Sequence, residues 1–277
     1  MILDCAGRRL DLSRPVVMGV LNVTTDSFSD GGRFLDPSAA LRHAGQMAAA
    51  GAAIIDIGGE STRPGATPVG LQQELDRVLP VLEALRGVTD AVLSVDTMKA
   101  GVMREAVRAG AGLINDVMAL QGEGALAAAA GSRAAICLMH MRGEPRTMQE
   151  HPVYDDVVTE VRDFLLARAQ ACESAGIARD RLLLDPGFGF GKTAQHNLTL
   201  LARLEALTRT PYPVLVGLSR KSMLGRLLGR PADQRLAGSL ALATLAVRAG
   251  ARIVRAHDVA ETRDAITITQ AVIDAGG

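Results

Sequence analysis

The chain lacks net charge, paired cysteines and any long uncharged apolar run, and each absence removes a class of function. Thirty Lys and Arg residues balance thirty Asp and Glu residues among 277, so no overall field draws the protein to nucleic acid or to an anionic membrane surface. Cys5, Cys137 and Cys172 are odd in number and far apart. That spacing matches neither a disulfide framework nor a zinc site and suits reduced thiols. Asp4, Arg8, Arg9 and Asp11 interrupt the first residues, which argues against a signal peptide, and nowhere do about 18 apolar residues run together. The expected location is the cytoplasm, where the Asn-x-Thr tripeptides at Asn22 and Asn197 carry no glycosylation meaning.

Several catalytic signatures are missing too. No Ser-His-Asp or Cys-His set follows from spacing, and no cluster of histidines and cysteines points to a tightly held transition metal. His43, His151 and His196 read as ordinary helix or loop residues. The segment Gly187-Phe188-Gly189-Phe190-Gly191-Lys192-Thr193 ends like a phosphate-binding P-loop, but Pro186 stands where that pattern requires its first glycine. It is expected to wrap the loop after the sixth strand, with Phe188 or Phe190 lending an apolar wall to a pocket.

What is present is an alternation. Hydrophobic residues make up 48% of the chain, and short β-rich runs alternate eight times with longer Ala- and Leu-rich segments. Strands are expected near residues 16–21, 53–57, 92–95, 113–114, 135–139, 182–184, 214–218 and 252–255, each apolar enough to be buried on both faces. Helices are expected near 37–50, 72–86, 99–109, 124–130, 155–175, 197–208, 233–249 and 258–275. Gly51, Gly87, Gly110, Gly176 and Gly250 sit where left-handed C-caps belong. Eight strand–helix units without a linker predict one α/β domain over residues 1–277, a (β/α)8 TIM barrel, with a doubly wound open sheet as the alternative.

In such a barrel the chemistry sits at the carboxyl ends of the strands. Those ends carry Asn22, then 58–63 (Gly-Gly-Glu-Ser-Thr-Arg), Asp96, Asn115-Asp116, His140, Asp185, Ser219-Arg220-Lys221, and Arg255 with His257. A single aspartate after a strand reads as a helix cap and a single asparagine as a turn; eight polar ends together read as a pocket. The set divides by charge. Arg63, Arg220, Lys221, Arg255 and His257 can neutralise a diphosphate or carboxylate. Asp96, Asn115 and Asp185 complement the donor-rich edge of an aminopyrimidine such as a pterin. Small-residue segments at 24–32 and 61–67 read as rim loops that close on substrate.

At this point the residues resemble a family. Met18-Gly19-Val20-Leu21-Asn22-Val23-Thr24 through Ser27-Phe28-Ser29-Asp30-Gly31-Gly32, and Ile55-Asp56-Ile57-Gly58-Gly59-Glu60-Ser61-Thr62-Arg63-Pro64-Gly65, are similar to two signatures of bacterial dihydropteroate synthases. Ser94-Val95-Asp96-Thr97, Ile114-Asn115-Asp116, Leu184-Asp185-Pro186, Gly217-Leu218-Ser219-Arg220-Lys221-Ser222 and Arg255-Ala256-His257-Asp258 agree with it, from about Pro15 to the last helix.

The resemblance implies a magnesium ion on Asn22, diphosphate cradled by Arg255, His257 and Arg63, and a pterin held by Asp96, Asn115, Asp185 and Lys221. It places Thr62 near the diphosphate, and Ser61, Phe28, Pro64, Phe190, Ser219 and Ser222 around p-aminobenzoate. The implied reaction is displacement of diphosphate from the pterin methylene by the aromatic amine. Asp96 would act electrostatically, and sulfonamides would compete with the aminobenzoate. A homodimer packed through the later helices is implied as well. Thr25 stands where the family has proline, which should loosen the first loop. Two other readings remain at this stage: a pterin-binding methyltransferase on a related barrel, and a non-catalytic paralogue.

Overall fold

A computed structural model describes residues 1–23, 37–62, 67–144, 147–150 and 152–276. The chain opens with an antiparallel hairpin of β1 (Ile2–Cys5) and β2 (Arg8–Asp11), paired Ile2 to Asp11 and Cys5 to Arg8. Eight parallel strands follow: β3 (Val16–Asn22), β4 (Ile54–Gly58), β5 (Val92–Asp96), β6 (Leu113–Asp116), β7 (Ala135–Met139), β8 (Leu182–Asp185), β9 (Leu215–Gly217) and β10 (Ile253–Ala256). Their order is β8-β7-β6-β5-β4-β3-β10-β9. A parallel bridge between Leu184 and Val214 brings the two ends of that sheet together, with the Leu184 N–H donating to Pro213 O at 2.9 Å. The eight strands thus curl into a nearly closed barrel.

The helices wrap the outside: α1 (Pro37–Ala49), α2 (Leu71–Leu85), α3 (Ala100–Ala109), α4 (Ala125–Ala130), α5 (Val157–Ser174), α6 (Ala194–Ala202), α7 (Glu205–Thr208), α8 (Ser222–Leu228), α9 (Leu236–Arg248) and α10 (Val259–Gly276). The alternation read from the sequence is therefore the fold, an α/β TIM barrel. Gly51, Gly87, Gly110, Gly176 and Gly250 all take positive φ, as their helix-end positions require. No described helix is long and apolar enough to cross a membrane.

The differences from expectation have local causes. The fifth helix starts at Val157 because the Asp156 carboxylate caps it, accepting the Val158 and Thr159 N–H groups. The expected helix at 197–208 begins earlier, at Ala194, where Thr193 and His196 form a reciprocal cap. It then tightens at Leu204, whose N–H reaches Leu201 O at 3.2 Å, and divides into α6 and α7.

The N-terminal hairpin was not expected, and it has a clear packing role. Leu3, Cys5 and Leu12 join Met18, Ile54, Val92, Leu113, Ala135, Leu183, Leu215 and Ile253 in a buried cluster separate from the larger helix–sheet core. These partners come from the first residues of the barrel strands, so the hairpin plugs the amino-terminal end of the barrel and leaves the polar end open. All three cysteines are buried. Burial pushes the Cys5 thiol up to about 12 and Cys172 up to about 11, so neither is a ready thiolate.

Candidate active site

The polar residues read from the strand ends converge at the carboxyl rim. Strand register sets the geometry: Asn22 pairs with Gly58, Gly58 with Asp96, and Asp96 with Asn115. Around the first half of the barrel, ligand-capable groups thus stand side by side at one height.

At the centre lies an ion cluster around Arg255. Its Nε donates to Asp56 Oδ2 at 2.7 Å and its Nη2 to Asp96 Oδ2 at 2.9 Å. Asp56 also receives Asn115 Nδ2 at 3.0 Å and the Ser94 hydroxyl at 2.6 Å. Burial works against the Arg255 charge, but Asp56 and Asp96 outweigh it and hold the guanidinium protonated. Asp96 is pushed up to about 7, first by burial and then by the Asp56 charge, with Arg255 opposing. Burial raises Asp185 as well, although its Oδ1 accepts the Gly187 N–H at 2.7 Å.

Lys221 lies with Nζ 4.3 Å from the Phe190 ring centroid. Burial and then the Arg255 charge bring it down to about 8. His257 is lowered to about 4, by burial first and then by Arg255 and Arg220. Its Nδ1 lies 3.0 Å from the Ser219 hydroxyl. His257 therefore enters as a neutral hydrogen-bonding group rather than a standing positive charge, and Ser219 orients it.

Arg220 is engaged elsewhere. It sits at φ +56° and grips Asp258 with Nε at 3.0 Å and with Nη2. Its N–H donates to Ser239 Oγ at 2.9 Å, and Arg235 reaches its carbonyl at 3.1 Å. This brace ties the loop after β9 to the loop after β10, placing Lys221 beside His257. Ser61 and Thr62 stand half-buried after β4, and Ser222 is exposed at the start of α8. Arg63, Pro64, Phe28 and Thr25 lie outside the described residues.

Three groups carried no expectation. Asp56 is fully buried. Lys99 bridges Glu60 and Glu74, reaching Glu74 Oε2 at 2.5 Å, while Glu60 Oε1 accepts the Val69 N–H at 3.0 Å and fixes the base of the second rim loop. The third is Lys192, buried inside the loop that looked like a P-loop. Its Nζ meets His140 Nδ1 at 2.9 Å and the carbonyls of Gly187 and Phe190 at 3.0 Å each.

Here the loop's carbonyls enclose their own lysine, the reverse of N–H groups enclosing a phosphate. Burial lowers Lys192 to about 7, and burial with the Lys192 charge lowers His140 to about 3. Gly187 has φ +68°, and a Cβ there would lie 1.9 Å from His140 O, so only glycine lets the two loops touch. Of the two phenylalanines considered for the pocket wall, Phe188 belongs to the hydrophobic core and Phe190 to the site.

Among the described residues, no group of three His, Cys, Asp or Glu side chains gathers as a metal cage. Asn22 offers a single amide oxygen, a hard donor, beside the Gly58–Asp96 edge. One protein oxygen, with the rest of the shell left to phosphate and water, fits the way magnesium is held and not zinc.

The sequence pattern of the pterin binding enzymes matches residues 18–257. The chain is 52% identical to the dihydropteroate synthase of Escherichia coli K12, over 99% of this chain and 98% of that one. The dihydropteroate synthase of Yersinia pestis in complex with a sulfonamide drug superposes with a TM-score of 0.95 at 55% identity, covering 99% of this chain and 100% of that one. That of Burkholderia cenocepacia, complexed with 7,8-dihydropteroate, gives 0.91 at 49%, covering 99% and 97%. Matched along nearly its whole length in sequence and in fold, the chain belongs to the dihydropteroate synthases, within the pterin binding enzyme family.

Proposed function

We propose that the chain joins p-aminobenzoate to 6-hydroxymethyl-7,8-dihydropterin diphosphate, releasing 7,8-dihydropteroate and diphosphate. The observation that carries this reading is Asn115 Oδ1, a buried acceptor with no partner among the described residues, in the same cluster as Asp96. An unpaired buried polar atom costs about 1–3 kcal/mol, which a ligand with a matching donor recovers. The aminopyrimidine edge of a pterin supplies N–H donors for Asn115 Oδ1 and for the carboxylates of Asp96 and Asp185. The 7,8-dihydropteroate complex of the Burkholderia cenocepacia relative supports the same chemistry.

In this reading Asp96, Asn115, Asp185 and Lys221 hold the pterin. Arg255 uses two of its N–H groups on Asp56 and Asp96, leaving the Nη1 pair for diphosphate oxygens, with His257 as a neutral donor and Arg63 joining from the second loop. Thr62 contacts the pterin substrate near its diphosphate, and Ser61, Phe190, Ser219 and Ser222 border the aminobenzoate, with Phe28 and Pro64 from the two loops. Bound magnesium, held by Asn22 and by the substrate, would neutralise charge on the departing diphosphate.

The methylene C–O bond breaks and the electron pair leaves with diphosphate. The amine nitrogen bonds to that carbon, and its surplus proton passes to solvent. An arylamine is a modest nucleophile, so the site acts by stabilising charge: the Asp96 and Asp185 carboxylates favour positive charge on the pterin ring, and Arg255 favours the leaving group. A sulfonamide resembles the aminobenzoate ring and would occupy its place, a reading supported by the Yersinia pestis complex. We also infer a homodimer through the later helices, supported by exposed Leu227, Leu228, Leu245, Ile268 and Val272 on α8, α9 and α10.

The test is an assay of purified protein with both substrates and magnesium, following dihydropteroate and diphosphate together, with Asp185→Ala alongside. Equal, magnesium-dependent formation of both products, lost in the variant, is the expected result. Pterin binding by well-folded protein without dihydropteroate would overturn the synthase reading and favour a methyltransferase.

A further inference from the structure

An amide side chain can present either its oxygen or its nitrogen to a ligand, and something must choose. At Asn115 the choice is made behind the pocket. Nδ2 donates to Asp56 Oδ2 at 3.0 Å, and Asp56 accepts from two further donors, Ser94 Oγ at 2.6 Å and Arg255 Nε at 2.7 Å. A carboxylate accepts and does not donate. Turning the Asn115 amide over would set its oxygen against Asp56 Oδ2, acceptor against acceptor. The nitrogen end is therefore tied to Asp56, and the oxygen end is the buried acceptor with no partner.

We propose that Asp56 is a specificity-determining positioning residue: by holding Asn115 Nδ2 it fixes Asn115 Oδ1 toward the substrate, so the site selects a heterocycle edge that donates there. The inference rests on the pterin reading above and deepens it. Asp56 itself stands one layer below the rim, on β4 opposite Ser94 of β5, and acts through Asn115. Rejection of an edge that presents an acceptor follows from its facing Oδ1 with no hydrogen bond possible between them. The discrimination should be roughly 10- to 100-fold, the ratio that corresponds to losing one hydrogen bond to a buried group.

The experiment compares 6-hydroxymethylpterin with 6-hydroxymethyllumazine, in which the 2-amino donor is replaced by a carbonyl acceptor. Dissociation constants are measured by calorimetry for the wild type, Asp56→Asn and Asp56→Ala. In Asp56→Asn the new amide can turn its oxygen to Arg255 and Asn115 and its nitrogen to Ser94, so the wild-type preference for pterin is retained. In Asp56→Ala the Asn115 amide can turn over, and the preference drops by roughly tenfold or more, Asp185 keeping the remainder. A general loosening of the site would weaken both ligands together and leave their ratio alone.

Asp56→Val makes the same break with less lost volume and serves if the alanine variant does not fold. An unchanged ratio in both apolar variants, or an equal fall in Asp56→Asn, would overturn the role of Asp56 while leaving the pterin reading intact. Failure of the wild type to bind 6-hydroxymethylpterin would overturn both.

Discussion

Replacing Lys192 with methionine should produce a stability loss that grows with pH. The side chain keeps its length and loses the ammonium. Four acceptors lose their donor: His140 Nδ1 and the His140, Gly187 and Phe190 carbonyls. At about 1–2 kcal/mol for each buried group left unpaired, that is about 4–8 kcal/mol lost. Against it stands relief from burying a charge. Lys192 titrates at about 7 in the folded protein instead of 10.5, and at about 1.4 kcal/mol per unit the folded state carries a penalty of about 4 kcal/mol at pH 7.

The two partly cancel there, and the variant should lie within about 4 kcal/mol of wild type. Between these two values the unfolded chain holds the proton more firmly, so wild-type stability gains from rising pH and the methionine variant does not. The gap should widen by about 2 kcal/mol from pH 7 to pH 9. Urea unfolding followed by circular dichroism at the two pH values measures it. A gap that stays flat or narrows with pH would refute the placement of a strained, buried cation in this loop.

Two further outcomes follow from the charges. Asp96 is held at about 7 by burial and by Asp56, so its carboxylate fraction rises through neutral pH; kcat/KM for the pterin diphosphate should climb from about pH 6 to about pH 8 and lose that slope in Asp96→Asn, as initial rates would show. Lys99→Met strands the Glu74 carboxylate, whose side chain is wholly buried, and should cost about 3–5 kcal/mol, read as a fall in the melting midpoint that Glu74→Gln in the same chain partly restores.

The rim was legible in the sequence because parallel strands in a closed barrel carry their functional groups at one end. Asn22, Asp96, Asn115, Asp185, Lys221, Arg255 and His257 each follow or finish an apolar run, and the structure gathers them as that pattern requires. Asp56 went unassigned because it lies within such a run, Ile54-Ile55-Asp56-Ile57, and its three partners come from β5, β6 and β10, separations that no local pattern reveals. The signal was there in a lone carboxylate inside a strand buried at every position, which must find donors.

Lys192 was obscured for the opposite reason, since its glycines drew attention to a motif whose lysine points outward to phosphate, while here it turns in. Arg220 shows the limit of reading charge alone: a basic residue at the rim need not face the pocket, and folding brings Asp258 to it from 38 residues away. The hairpin at β1 and β2 was missed because eight strand–helix units already account for a barrel.

That hairpin separates two boundaries that are easily equated. The family pattern begins at Met18 and ends at His257, yet Leu3, Cys5 and Leu12 lie before it and are at most 2% exposed. A chain trimmed to the recognisable segment would keep every rim residue named above and the barrel strands apart from Val16 and Val17 of β3, would lose α10, and would open the underside of Met18, Ile54, Val92, Leu113 and Ile253 to water. The family pattern marks where the chemistry is. The unit that folds extends past it, because the barrel's lower core is completed by Leu3, Cys5 and Leu12.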